Sequence, residues 1–286
     1  MGDFLPANPL TLEIACHPAM SDCNGSSRMT DPEHARRVFK ESGDWVGSVG
    51  NFDVTGKRGP YSLRDFMVMY MGNGGGDVSS LIDLPQDDFE KLFSMLEYFR
   101  NMLNRMFVDS DFVLGLNSGP SQSIKRLHIH CTDRSFFTSL NGDGAGLMER
   151  LNINASSVNA TKVLRETLAD VLPDLDFVDM EYPLGVRLKH SIFNNVGLIK
   201  KIVGMVEEYK KLLNLKFAGG EELFGYGMTI DGDDVLSLGM VEGRVGLNEM
   251  SGITVDRRPG EFDEDYLAHR RGLLAVLGSM LSAVRI

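Results

Sequence analysis

The chain has 286 residues, 43% of them hydrophobic and 24% charged, enough to build one large or two smaller globular domains around their own core. Lys and Arg total 29 against 40 Asp and Glu, a formal net charge of -11; this argues against extended polyanions and anionic membranes as partners but leaves room for one compact phosphate site. The three cysteines, Cys16, Cys23 and Cys131, form no disulfide framework and point to a reducing, cytoplasmic setting.

Residues 1–45 read as an N-terminal arm. Pro, Asn, Ser and Gly dominate up to Ser27, with no basic start and apolar run of the kind that marks a secretory signal. Thr30 or Asp31 then caps a helix that enters through Pro32 and runs to about Glu41. Cys16, His17, Cys23 and His34 match no standard zinc spacing, so no metal is assigned. No segment reaches the ~18 apolar residues needed to cross a bilayer.

Residues 46–141 follow as a first α+β half. Strand-like stretches at Trp45–Val54 and Arg64–Met71 flank a turn containing Gly56, Gly59 and Pro60. The run Gly72–Gly76 reads as a flexible break over the site, not a dinucleotide fingerprint, because no βαβ unit opens after it. In Pro85–Met106, Phe89, Leu92, Phe93, Leu96, Phe99 and Leu103 recur at helical spacing and predict one buried face. Strands at Phe112–Leu116 and Ile124–Cys131 complete this half.

Asn141–Ala160 is polar and glycine-rich and marks the domain boundary, so residues 142–286 form the second half. Its predicted order is a helix at Thr161–Leu172, a strand at Leu175–Tyr182, a helix at Ile192–Leu215, strands at Leu223–Ile230, Val235–Val241 and Leu247–Val255, and a closing helix at Asp263–Val284. A long helix followed by two strands occurs in both halves. The second half can therefore be read as a degenerate copy, with Leu238 and Met240 standing where histidines would be.

The chemistry concentrates in Asn117–His130. Strand alternation puts Arg126, His128 and His130 on one face and Leu127 and Ile129 on the other. The preceding loop supplies Asn117, Gln122, Ser123 and Lys125. A neutral imidazole can attack phosphorus and hold a covalent phosphoramidate, while cationic and N–H donors stabilise charge on the transferring oxygens.

These residues resemble the histidine-triad (HIT-like) superfamily. Asn117, Gly119, Gln122, Ser123 and Ile124 match its Asn-x-Gly loop and Gln-Ser-hydrophobic step, and His128 and His130 match its second and third histidines. Arg126 stands at the first histidine position. The resemblance covers roughly Val46 to Arg134 and extends to Asn51-Phe52-Asp53 on the base-recognition side, with Lys57 and Arg58 in the following turn. It is nearest to the nucleotidyltransferase and phosphorylase branches and to the CDP-diacylglycerol pyrophosphatase branch.

The resemblance implies an antiparallel sheet with helices, and a nucleotidyl transferase or hydrolase acting on a nucleoside di- or polyphosphate compound. By that resemblance His128 is the nucleophile and His130 its support; Arg126, a departure from the family pattern, supplies a cation to compensate phosphoryl charge. Asn117, Gln122, Ser123 and Lys125 form the phosphate side, with Phe52 and Asp53 on the base side; Lys57 and Arg58 read as exposed turn charges or as contacts to a substrate phosphate. No cofactor is implied. The partner is a small nucleotide or phosphate ester, and the pairing of halves is supplied either by a homodimer or by the second half. Arg126 also keeps open two alternatives: a catalytically silent nucleotide binder, and a biosynthetic enzyme reusing the pocket.

Overall fold

The computed structural model describes residues 36–37, 40–41, 44–56, 65–72, 78–108, 110–122, 126–133, 137–139, 153–180, 182–189, 192–243, 253–255 and 264–283. The architecture is α+β. Nine strands form one antiparallel sheet in the order β1-β2-β3-β5-β4-β9-β10-β8-β7. They are β1 (Trp45–Val49), β2 (Phe52–Gly56), β3 (Asp65–Tyr70), β4 (Phe112–Ser118), β5 (His128–Asp133), β7 (Asp176–Val178), β8 (Leu184–Arg187), β9 (Phe224–Ile230) and β10 (Val235–Glu242). β6 (Phe137–Ser139) and β11 (Ile253–Val255) pair separately. The bounded helices are α1 (Gln86–Met106), α2 (Ala155–Val171), α3 (Val196–Ala218) and α4 (Glu264–Ser282).

Helix α1 buries every apolar residue singled out from its spacing, Phe89 through Leu103. Phe66 and Phe99 meet edge to face with ring centroids 5.5 Å apart, and Phe112 lies 6.5 Å from Phe66. Each such ring stabilises the fold by roughly 1.5–3 kcal/mol, so this aromatic group fixes α1 to the back of β3 and β4.

One order of elements occurs twice along the described residues: strand, short 3-10 turn, long helix, two strands. In the first it is β3, Leu81–Asp83, α1, β4 and β5; in the second β8, Ile192–Asn195, α3, β9 and β10. The sheet order β3-β5-β4 meets its reversed counterpart β9-β10-β8 at the β4–β9 pair.

Several expectations change. Trp45–Val54 is two strands, because Gly50, with φ +55°, and Asn51 turn the chain so that Val49 pairs with Phe52. Leu175–Tyr182 likewise gives β7, and a further strand, β8, follows Pro183. Helix α2 starts six residues early, inside the polar stretch, because Asn154 Oδ1 accepts from the Ser157 backbone N–H at 2.9 Å. Its Ser157 and Thr161 hydroxyls accept from the N–H groups of Glu242 and Met240, both at 2.9 Å, beyond the end of the β8 pairing. The helix thereby satisfies the backbone of a strand that has lost its neighbour.

Leu238 and Met240 also differ from expectation. Both are fully buried in the helix-packed core. Register carries the histidine face from His130 through Gly115 and Thr229 to Ser237. The second-half positions on that face are therefore Ser237 and Gly239. A slip of one residue exchanges the faces of a strand, and the corrected residues are again not histidines.

Candidate active site

His128 opens β5 and is 2% exposed; His130 is half-buried. Their rings meet at 76° with centroids 5.1 Å apart. Ile129 and Cys131 point oppositely into the core. Met69 and Met67 oppose the two histidines across β3, and Gly115 opposes His130 across β4.

His128 Nδ1 lies 2.7 Å from the Arg126 carbonyl oxygen. A carbonyl only accepts, so Nδ1 carries the proton, and when the ring is neutral its lone pair is on Nε2. The same carbonyl accepts from Gln122 Nε2 at 3.2 Å, and that amide also donates to the Ser79 carbonyl at 2.9 Å. Gln122 is thus buried between two backbone oxygens, where it sets the acceptor for His128. Its amide N–H groups are turned to these carbonyls and not to a phosphate. The 3-10 turn Gly119–Ser121 delivers Gln122 to this position.

Arg126 precedes the strand, so alternation does not govern it. Its guanidinium Nη1 donates to the Tyr70 carbonyl at 3.3 Å. Asn117 is buried on β4, and its Oδ1 has no hydrogen-bond partner among the described residues. Two register steps from Gly115, it shares the histidine face.

Phe52 does not reach this face. It is 2% exposed on the helix side, its ring 5.4 Å from that of Tyr70, because adjacent strand residues point oppositely. Asp53 is on the histidine face, but it accepts from Arg36 Nε and Nη2 at 2.8 and 3.1 Å and from Ser48 Oγ at 2.6 Å. That bidentate pair ties residue 36 of the arm to β2. Ser123, Lys125, Lys57 and Arg58, the run 73–77, and Cys16, His17, Cys23 and His34 lie outside the described residues.

Sequence reasoning missed Tyr70, Ser79 and Arg36. The Tyr70 hydroxyl donates to Asp88 Oδ2 at 2.8 Å. Burial and that carboxylate push its pKa up to about 12 from 10.0, while the Arg126 charge acts to lower it. The folded state therefore holds the phenolic proton more tightly than the unfolded one. Its stabilisation is complete below about pH 10 and is lost as pH rises toward 12. Urea unfolding at about pH 8 and about pH 11 should show a smaller loss for Tyr70→Phe than for the wild type; equal losses would refute the assignment.

His128 and His130 thus share one face of β5, the first ring set by the carbonyl two residues earlier. Residues 67–144 match the family described as "Scavenger mRNA decapping enzyme C-term binding". That stretch runs from within β3 past β6. No curated protein matches the chain. Among solved structures, a DUF4931 family protein from Bacillus cereus ATCC 10987 is similar at 11% identity and TM-score 0.40, over 82% of this chain and 99% of that one. A GalT-like protein from Arabidopsis thaliana gives 12% identity and TM-score 0.35, over 82% of this chain and 85% of that one. An ADP-glucose phosphorylase from Arabidopsis thaliana with bound ADP-glucose gives 11% and 0.33, over 82% and 83%. Among the described residues, no helix is long and apolar enough to cross a membrane.

Proposed function

We propose that the protein is a nucleotidyl transferase or hydrolase that works through a nucleotidyl-histidine on His128. The observation that carries this reading is the 2.7 Å contact from His128 Nδ1 to the Arg126 carbonyl, which supports it because the lone pair of a neutral ring is then on Nε2. Nε2 attacks the α-phosphorus of a nucleoside di- or polyphosphate compound, and the P–O bond to the leaving phosphate breaks. Water, phosphate or another phosphate ester then takes the nucleotidyl group and returns the histidine to its starting state. Arg126 offsets phosphoryl charge, His130 supports the ring of His128, and Asn117 offers its amide to the substrate. Ser123 and Lys125 complete the phosphate side. The matched family's description as an mRNA decapping enzyme is in keeping with nucleotide chemistry. The first half carries the reaction, and the second shapes the pocket.

The test is to incubate the protein with nucleotide sugars, dinucleoside polyphosphates and CDP-alcohols, quench, and weigh the intact chain. A gain of one nucleotidyl group is expected in the wild type and none in His128→Ala. Equal labelling of the two would remove His128 as nucleophile. Arg126 at the first triad position favours one second reading, a silent nucleotide binder; calorimetric binding without adduct or turnover would select it.

A further inference from the structure

Helix α3 belongs to the second half, yet its Glu207 sits against the first-half loop. The carboxylate is 3% exposed. Oε1 accepts from Ser80 Oγ at 2.5 Å, Tyr226 Oη at 2.9 Å and Ser118 Oγ at 3.4 Å. Oε2 meets Lys210 Nζ at 2.7 Å, and the same Nζ donates to Ser118 Oγ at 2.9 Å. Burial pushes the carboxyl pKa up, but Lys210 and the hydroxyl donors outweigh it and hold the group below the usual range.

Both serines lead to the histidine. Ser118 ends β4 and begins the turn that delivers Gln122. Ser80 follows Ser79, whose carbonyl holds the Gln122 amide, and Val78, whose carbonyl accepts from the Leu127 N–H at 2.8 Å. Gln122 Nε2 in turn fixes the Arg126 carbonyl that takes the His128 Nδ1 proton. A buried anion with several donors is costly to leave unpaired, so the two segments are held in one relative position.

We propose that Glu207 is a positioning residue: by fixing Ser80 and Ser118 it aims the Arg126 carbonyl and so holds His128 in the Nδ1–H tautomer. This gives the second half, which has Ser237 and Gly239 on the face where the first has its histidines, a part in catalysis across the β4–β9 joint. The proposal extends the nucleotidyl-histidine reading, but its first test needs no substrate. Long-range proton–nitrogen NMR on protein with nitrogen-15 histidine reports the tautomer of each ring, and His128→Gln assigns the resonance.

The wild type should show His128 as Nδ1–H. Glu207→Gln should raise the Nε2–H fraction about fivefold, the change that one weakened hydrogen bond makes, and Ser118→Ala should shift it in the same direction. Leu277→Ala, on the buried face of α4, destabilises the fold away from these bonds and should leave the tautomer unchanged. If Glu207→Gln does not fold, Ser118→Ala carries the same readout. An unchanged tautomer in the folded variants, or an equal shift in Leu277→Ala, overturns the proposal. Failure to form a nucleotide adduct would instead count against the reaction and leave the tautomer result standing.

Discussion

His128→Ala should lower turnover of any nucleotide the wild type consumes by about 10⁴-fold or more, the scale on which removing a covalent nucleophile acts. The fold should survive. The Arg126 carbonyl keeps its bond from Gln122 Nε2, so no buried acceptor is orphaned, and losing one hydrogen bond costs about 1 kcal/mol. Ile129→Ala should do the reverse. Ile129 is 3% exposed in the helix-packed core, and the cavity it leaves costs about 2–5 kcal/mol. At roughly 2–4 °C per kcal/mol for a chain of this size, its melting temperature falls by several degrees or more. Activity per folded molecule should change little. Neighbouring residues thus separate chemistry from stability, and thermal melts with rates corrected for folded fraction measure both. An Ile129→Ala enzyme that is stable but inactive would place the faces of β5 the wrong way round.

That division was legible in the sequence because alternation is local: once Leu127-His128-Ile129-His130 is a strand, its faces follow. The buried stripe of α1 was legible for the same reason, as a short-range period. What lay outside local pattern was read less well. The Gly50-Asn51 turn hides within an apolar stretch, so two strands looked like one. Phe52 and Asp53 cannot both be substrate contacts, because neighbours in a strand do not share a face. Leu238 and Met240 were placed from element order alone, whereas the face of a strand depends on register with its partners, here Ser237 with Thr229 and Thr229 with Gly115. Gln122 matched a motif, but its role depends on where two carbonyls fall. Glu207 did leave a signal. It follows Ile199 and Val203 at helical spacing, so a charge occupies a core position of α3. Its partners Ser80 and Ser118 are 127 and 89 residues away, which no periodicity connects.

The joint between the halves offers the second large effect, and it turns on one missing methyl group. Gly225 lies in β9 where β4 ends. A Cβ there would sit 2.1 Å from the Ser118 carbonyl oxygen and 3.1 Å from Pro120 Cδ. Across the gap Gly119 has φ +82°, and its own Cβ would stand 2.6 Å from Gly225 Cα. Two backbones touch here, and neither can yield without moving the turn that presents Gln122. Gly225→Ala should therefore cost about 3 kcal/mol, the upper part of the range for overfilled sites, and lower the melting temperature by about 6–12 °C. Gly219→Ala is the control. Gly219 ends α3 with φ +61° and has no atom within 4 Å of the added Cβ, so only backbone strain of about 1 kcal/mol is expected. The two variants should also differ in activity measured below both melting points. Displacing the Gly119–Ser121 turn loosens the Arg126 carbonyl and the tautomer of His128, whereas an alanine at the end of α3 touches neither. If Gly225→Ala melts no lower than Gly219→Ala, the close approach is not a constraint on the joint. If it melts lower but keeps full activity, the turn does not govern the histidine.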